Sequence, residues 1–198
     1  MIERGALQMA KTILVVNRKG GVGKSMLTDF LCFAMDEESI SYNLYDMDEQ
    51  GGLLHKPVGH GTDEDPSALI NIVDTPGALG GSEMNAWIAE ADICIIPTRP
   101  TDLDLPALER TEAIIKAASP DMDIIYVVNG TNRFRATQDF LEYFLDLHKS
   151  DAVFCIPQSE VFLQARLSGI SPDKLDKRSP AALCMREFTN SVLEKALS

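Results

Sequence analysis

The feature that most constrains this chain is a glycine-rich run between an apolar stretch and a helical pattern. The run comprises Arg18, Lys19, Gly20, Gly21, Val22, Gly23, Lys24 and Ser25, and it follows the β-rich stretch 12–16. Closely spaced glycines let successive backbone N–H groups turn toward an anion, while a lysine reaches phosphates and a hydroxyl binds Mg²⁺. Apolar residues then recur at helical spacing at Leu27, Phe30, Leu31 and Ala34. We therefore predict a phosphate-binding loop between a strand and a helix, rather than a glycine-rich turn with two solvated lysines.

Six β-rich apolar runs are spread along the 198 residues, and helical patterns separate most of them. The runs are 12–16, 42–45, 69–73, 93–96, 124–128 and 152–156. This alternation predicts an α/β fold, with a mostly parallel twisted sheet covered by helices on both faces. We interpret 1–10 as an N-terminal extension and 11–198 as a single domain, because no linker or internal repeat divides it.

Two of the predicted helices carry further information. The segment 105–118 opens with Asp104 as a candidate N-cap and has Pro106 in its first turn. The stretch 180–198 carries an apolar stripe and balanced charges. We expect that stripe to pack on the sheet, whereas membrane binding would require a basic amphipathic helix.

A carboxylate at the end of the third β-rich run is the candidate Mg²⁺ ligand. Asp74 follows the run 69–73 and begins an Asp-x-x-Gly turn that ends at Gly77. Magnesium in phosphate-transfer sites is held by carboxylates, the loop hydroxyl and phosphate oxygens. Ligands bind at the carboxyl ends of parallel strands, where Asp74 and Ser25 should both lie. A plain strand-to-loop turn built on Asp and Pro-Gly is the alternative.

The loop also departs from the general phosphate-binding pattern. Arg18 stands where that pattern has glycine, and Lys19 adds a second lysine. In both respects the run resembles the signature of the ParA/MinD family of deviant Walker A ATPases, especially compact plasmid-type ParA partition proteins. The resemblance implies a P-loop ATPase with ATP and Mg²⁺ as ligands, and an ATP-dependent homodimer. Lys24 would then act on the phosphates of its own chain, while Lys19 would reach those of the partner subunit.

A second family motif resembles the segment that begins at Asp46. The family has two aspartates one residue apart, then proline and glutamine; this chain has Asp46, Asp48, Glu49 and Gln50. By this resemblance Asp48, which lies 24 residues after Lys24, orients the attacking water. Asp46 would lie nearer the Mg²⁺, together with Ser25 and Asp74. An acidic turn without catalytic function is the alternative.

The resemblance also suggests how the base is bound. The stretch Asn129, Gly130, Thr131 and Asn132 lacks the lysine and aspartate with which related GTPases read guanine, and this favours ATP. Asn129 would contact adenine, and Pro157 and Gln158 would surround the base. In the loop itself, the predicted contacts are Lys19, Gly20, Gly21, Val22, Gly23, Lys24, Ser25 and Met26.

The net charge of −12 constrains the partners of the chain. DNA binding depends on neutralising phosphates with lysine and arginine, so nonspecific DNA is disfavoured for the chain as a whole. A local patch remains an alternative, formed by Arg166, Lys174, Lys177 and Arg178. An acidic surface suits a basic partner instead, and the resemblance implies a ParB-like one.

The remaining expectations concern location and other ligands. No apolar run approaches the roughly 20 residues of a membrane span, so we expect a cytoplasmic protein that does not bind membrane. His55 and His60 lie in a polar loop without a cysteine nearby, which does not indicate a metal site. A MinD-like membrane-cycling protein and a nucleotide-binding adaptor with little turnover are the alternatives to a cargo-positioning ATPase.

Overall fold

The structure is a computed structural model, and it describes residues 10–48, 51–77 and 82–198. Most of the expected N-terminal extension, and Glu49 and Gln50 of the second motif, lie outside the described residues. The strands are β1 Lys11–Val15, β2 Tyr42–Asp46, β3 Ile70–Asp74, β4 Ile93–Thr98, β5 Asp123–Thr131 and β6 Ala152–Pro157. The helices are α1 Lys24–Glu38, α2 Ser82–Glu90, α3 Leu105–Ala118, α4 Arg135–Leu147, α5 Glu160–Ser168, α6 Pro172–Leu175 and α7 Pro180–Leu197.

The six strands form one sheet in the order β2-β3-β1-β4-β5-β6. Every pair of neighbours is parallel. The predicted α/β fold with a parallel sheet is confirmed, and each predicted β-rich run coincides with one strand to within a few residues. Because all six strands point the same way, the loops that follow them meet along one edge of the sheet.

Helices cover the sheet on both faces. Alternate residues of β1 belong to different layers: Ile13 and Val15 pack on one face, Leu14 and Val16 on the other. The first layer is completed by apolar residues of α1, α5 and α7. The second is completed by residues of α2, α3 and α4. This period of two along a strand that is buried on both sides explains why the strands read as nearly continuous apolar runs.

The last helix packs as expected. Met185, Phe188 and Val192 of α7 are buried, and the Phe188 ring lies 5.5 Å from that of Phe154 on β6. An ion pair of 2.6 Å between Lys195 and Asp123 holds the end of the helix near the start of β5. Within the described part of the chain, no helix is both long and apolar enough to cross a membrane.

The expected cap of α3 is wrong in its chemistry, although its position is right. Asp104 is the N-cap residue, but its side chain makes no capping hydrogen bond. The carboxylate instead pairs with Lys19 of the phosphate-binding loop and with Arg99 at the start of its own loop. Two charged partners satisfy a buried carboxylate better than one backbone N–H, and this tertiary contact replaces the local one.

Candidate functional site

The phosphate-binding loop joins β1 to α1 at the carboxyl edge of the sheet. Gly21 and Gly23 have φ values of 71° and 105°, a region of backbone conformation that favours glycine. A Cβ atom at Gly23 would overlap the side-chain amide of Asn129, so the loop also needs glycine there for space. The Lys24 ammonium curls back to donate to the carbonyl of Lys19, at 3.3 Å. The glycines and Lys24 therefore enclose a turn of backbone suited to an anion, as predicted.

The Lys24 side chain is largely buried at the phosphate-binding loop. The residue is only 7% exposed. Burial lowers its pKa, and the nearby Asp74 and Asp48 carboxylates oppose that shift. A buried cation without a strong partner is costly, so an added phosphate would be a favourable neighbour.

Asp74 is a buried carboxylate beside the Ser25 hydroxyl and the Lys24 ammonium. It is 1% exposed, and among the described residues neither oxygen has a hydrogen bond of good geometry. Burial raises its pKa to about 6, while the adjacent Ser25 hydroxyl and the Lys24 ammonium oppose the rise. Orphaned buried oxygens beside a hydroxyl are a poor arrangement for an empty core and a good one for a hard cation. The residues present therefore fit Mg²⁺.

The second strand brings two more carboxylates to the same place. Asp46 is paired in register with Asp74 on the neighbouring strand. The Asp48 N–H donates to Asp46 Oδ1 at 2.9 Å, and the Met47 N–H donates to the Asp74 carbonyl at 2.9 Å. Burial raises the pKa of Asp46, opposed by the Asp48 N–H. The structure thus brings together Ser25, Asp46, Asp48 and Asp74, as the sequence predicted.

The loop after β3 approaches the backbone of the phosphate-binding loop at Gly77. A Cβ atom at Gly77 would lie 3.1 Å from both the Cα and the N of Gly20. Such a distance is too short for an ordinary contact, so a larger residue would push the two loops apart. The Asp-x-x-Gly turn therefore ends against the loop that is expected to hold phosphate.

Lys19 lies on the rim of the site, away from Asp74. Its ammonium contacts Asp104 Oδ1 at 2.6 Å and the Leu103 carbonyl at 3.2 Å. Asp104 is 0% exposed and also accepts from Arg99 Nε at 2.9 Å. Burial alone would raise the pKa of Asp104, but its hydrogen bonds with Arg99 and Lys19 lower it overall. The two lysines of the loop thus have different surroundings. Lys24 contacts the backbone of its own loop, whereas Lys19 contacts the loop between β4 and α3 at the rim of the site.

A cavity of about 480 Å³ lies beside the phosphate loop. Three predicted base contacts line it, Asn129, Pro157 and Gln158, together with Met26, which was predicted as a contact of the phosphate loop. The Asn129 amide also donates to the Val22 carbonyl at 2.9 Å, so it braces the phosphate loop. A bulge in β5 after Asn129 opens this corner of the sheet. The volume and the mixed lining are those expected for a base-binding cavity.

The expected basic patch before the last helix is not a cluster of free cations. The Arg166 guanidinium lies 2.7 Å from Asp29, and the Lys174 ammonium lies 3.3 Å from Glu37. Two of the four predicted cations are therefore paired within the chain. The prediction grouped them by sequence proximity and did not include their partners on α1.

Sequence reasoning missed several residues that the structure places at the site. Arg99 and Arg166 line the base cavity, and Asp104 and Asp29 hold them. One signal was available: Asp29 is a carboxylate within the apolar pattern of α1, where a charge demands a buried partner. The identity of that partner, 137 residues away, was not visible.

Comparison with known proteins gives three matches of note. A curated relative, the maintenance of carboxysome distribution protein A of Halothiobacillus neapolitanus, is 26% identical over 205 residues, which cover 89% of this chain and 93% of that protein. A Cyanothece McdA variant in complex with ATP has a TM-score of 0.73 and 15% identity, covering 93% of this chain and 96% of the other. A putative plasmid partition protein from Borrelia burgdorferi, bound to AMPPNP, has a TM-score of 0.69 and 14% identity, covering 94% and 100%.

The family model described as the CobQ/CobB/MinD/ParA nucleotide binding domain matches residues 13–172. That range begins in β1, ahead of the phosphate loop, and includes β2 to β6 with all three carboxylates and the base cavity. The predicted family is confirmed by the extent of the match. The chain belongs to the CobQ/CobB/MinD/ParA nucleotide-binding family.

Proposed function

We propose that this protein is an ATP-dependent dimerising ATPase that positions a large cargo in the cell. Two copies would close around two ATP molecules, and slow hydrolysis would separate them. A cargo-bound partner protein would accelerate that hydrolysis. The cycle would convert chemical energy into repeated binding and release at a surface.

The observation that carries the proposal is the outward placement of Lys19. Lys24 already supplies the ammonium that a phosphate loop needs, and its Nζ lies 3.3 Å from the loop's own backbone. Lys19 is held on the rim by Asp104, where it is 30% exposed. Because Lys24 already supplies the ammonium of its own site, Lys19 is available at the rim to reach the phosphates of another copy.

The remaining residues divide the chemistry between them. Lys24 and the loop N–H groups would hold the phosphates, and Ser25, Asp46 and Asp74 would hold Mg²⁺. The metal, when bound, would neutralise developing charge on the phosphate oxygens. Asp48 would orient the attacking water at the end of β2 and accept its proton.

The cargo is proposed from the relatives, and the partner from charge. The named relatives include a protein that maintains carboxysome distribution and a putative plasmid partition protein, so a plasmid or another large assembly is the cargo class. A net charge of −12 favours a basic, ParB-like partner over direct DNA binding. We place the protein in the cytoplasm.

The decisive experiment measures mass in solution with ATP and Mg²⁺ by multi-angle light scattering. Wild-type protein should form dimers, and Asp48→Ala should accumulate them because hydrolysis stops. Lys19→Ala should still bind ATP but remain monomeric, whereas the exposed-site control Lys149→Ala should behave as wild type. Wild-type protein that stays monomeric with ATP and Mg²⁺ would overturn the dimer model.

Two rivals have separate tests. A membrane-cycling function is disfavoured because the apolar stripe of α7 is buried against the sheet. Sedimentation with anionic liposomes would detect it directly. A nucleotide-holding adaptor would release no phosphate with or without a partner, whereas the proposed ATPase should release phosphate slowly and more quickly when its partner is added.

A further inference from the structure

A buried carboxylate on α1 joins three parts of the molecule, namely α1 itself, α5 and the segment 52–55. Asp29 Oδ1 accepts hydrogen bonds from the N–H groups of Leu54 and His55, at 2.9 and 3.3 Å. The His55 ring lies 3.0 Å from the same oxygen. Asp29 Oδ2 accepts from Nε and Nη2 of Arg166, at 3.1 and 2.7 Å. We call Asp29, Gly52, Leu54, His55 and Arg166 the Asp29 node.

Because Asp29 is buried, loss of any of its hydrogen-bond partners should be destabilising. Asp29 is 0% exposed, so each lost partner would leave charge or a lone pair unsatisfied away from water. Arg166 supplies two donors to one oxygen and a third contact to the Gly52 carbonyl. Only a planar guanidinium can hold a carboxylate and a carbonyl in this fixed relation.

One end of the node is the base cavity. Arg166 comes from α5, is 27% exposed, and lines the cavity together with Met26 and Phe162. A flat base that enters this cavity would meet the guanidinium, whose face stacks well on aromatic rings. Contact with a base would therefore narrow the orientations open to Arg166.

The other end of the node is the contact between Gly51 and Asp48. The Gly51 N–H donates to the Asp48 carbonyl at 2.8 Å. Gly52 has a φ of 145°, and a Cβ atom there would lie 3.6 Å from the Ser25 hydroxyl. The carbonyl held by Arg166 therefore belongs to the residue next to the one that is hydrogen-bonded to Asp48, the proposed water-orienting carboxylate.

We propose that Asp29 and Arg166 form a positioning pair that couples an occupied base cavity to the placement of Asp48, through the Gly52 carbonyl and the Gly51–Asp48 hydrogen bond. Neither residue touches the reacting atoms; the base acts on Arg166, and Arg166 acts on Gly52. A triphosphate that carries a base is then hydrolysed faster than the same triphosphate without one. The inference rests on the proposed function, since it describes the regulation of that same hydrolytic site.

The kinetic test compares ATP with ribose 5-triphosphate as Mg²⁺ complexes. In wild-type protein, kcat for ATP should exceed kcat for ribose triphosphate by about tenfold, within the range typical of coupling between sites. Arg166→Gln should lower the ratio of kcat for ATP to kcat for ribose triphosphate to about one. Arg166→Lys keeps the charge against Asp29 but cannot form the fork, so it should restore folding stability without restoring the ratio.

Two kinetic outcomes overturn the coupling. An equal loss of kcat for both substrates assigns Arg166 a general structural role. A change in KM for ATP with kcat intact makes Arg166 a plain base contact. Arg135→Gln, which removes an arginine of α4 whose ion pair with Asp139 is exposed to solvent, controls for the loss of an arginine charge alone and should behave as wild type.

A second measurement separates this inference from the proposed function. Amide hydrogen exchange in residues 51–57 should slow when ADP is added to wild-type protein, and should not slow with ribose 5-diphosphate. Arg166→Gln, or Arg166→Lys if the glutamine variant does not fold, should abolish the difference. This readout needs neither turnover nor dimerisation. Equal protection by the two diphosphates in wild-type protein would overturn the positioning pair even if the ATPase cycle is correct.

Discussion

The phosphate side and the base side of the sheet edge are built in different ways. On the phosphate side, the loop before α1 supplies backbone N–H groups, and the ends of β2 and β3 supply the carboxylates of Asp46 and Asp74. All of these groups lie within short sequence motifs. On the base side, the cavity is closed by long side chains from distant segments, such as Arg99 and Arg166. The first region is specified by local sequence and the second by tertiary pairing, so the two should respond differently to substitution.

The largest expected effect is on the phosphate side. Lys24→Ala removes a buried ammonium that is 7% exposed, and with it a charge-assisted contact to phosphate. We expect ADP and ATP affinity to fall about 100-fold, or about 3 kcal/mol. Calorimetric titration measures the loss, and the exposed Lys149→Ala should leave affinity unchanged. A loss below about fivefold would mean that the base side carries most of the binding energy.

The next effect is the pH dependence of the nucleotide-free protein. Burial raises the pKa of Asp74 from 3.8 to about 6. The folded state then binds more protons than the unfolded state between these values, so the free energy of unfolding should fall as pH rises from about 4 to 6. The full loss is on the order of 3 kcal/mol and remains constant above pH 6.

Asp74→Asn should remove that slope and stabilise the nucleotide-free protein at pH 7, while Mg²⁺-dependent ATP binding is lost. Urea unfolding at pH 4.5 and 7 measures the slope, and the exposed Asp63→Asn serves as control. An unchanged slope in the variant would show that Asp74 is paired in solution and is not an open metal ligand.

A smaller effect is expected where the two sides meet. Asp104→Asn leaves Lys19 and Arg99 without a carboxylate, but both reach water, so the cost should be about 1–3 kcal/mol. Because Arg99 and Lys19 hold the pKa of Asp104 below its usual value, this contribution should be present above pH 4 and disappear as pH falls. Thermal unfolding at several pH values measures it, with Asp121→Asn as an exposed control. A variant as stable as wild type at pH 7 would mean that the rim contacts are weak.

The smallest effect is expected on the base side. Asn129→Ala loses one hydrogen bond of 2.9 Å to the Val22 carbonyl and leaves a space beside Gly23. Since a single neutral hydrogen bond contributes about 1 kcal/mol, ADP affinity should fall about fivefold. The exposed Asn190→Ala is the control in the same titration. A loss as large as that of Lys24→Ala would remove the difference between the two sides.

Sequence alone could predict most of the phosphate side because its determinants are local. Each of its functional residues can be recognised from the adjacent sequence. They are the glycines that need positive φ, a lysine, a hydroxyl and an aspartate at a strand end. The strands were equally accessible, since burial on both faces leaves continuous apolar runs. The extent of the family match confirms the predicted family, whereas the roles of these individual residues stay predictions.

The rest depended on contacts between distant segments. Asp104 has the sequence position of a helix cap, and only the folded chain brings Lys19 of the phosphate loop to it; its other partner, Arg99, precedes it in the same loop. From sequence, Arg166 is interpreted as part of a basic segment. The structure shows that it pairs with Asp29, which lies 137 residues earlier in the chain. Propensity and spacing depend on residues nearby in the sequence. The contacts of Asp104 with Lys19 and of Arg166 with Asp29 depend on residues that are distant in the sequence, so sequence patterns did not predict them.

The contact between Gly77 and Gly20 affects how mutagenesis of this protein should be interpreted. A methyl group at position 77 would displace backbone that is only 3.1 Å away, and with it the loop that carries both lysines. An alanine at position 77 therefore lowers activity to the extent that the two loops cannot separate by a few tenths of an ångström, although glycine contributes no functional group there. Loss of activity in such a variant reports the fit between two loops, and it should not be counted as a catalytic contribution.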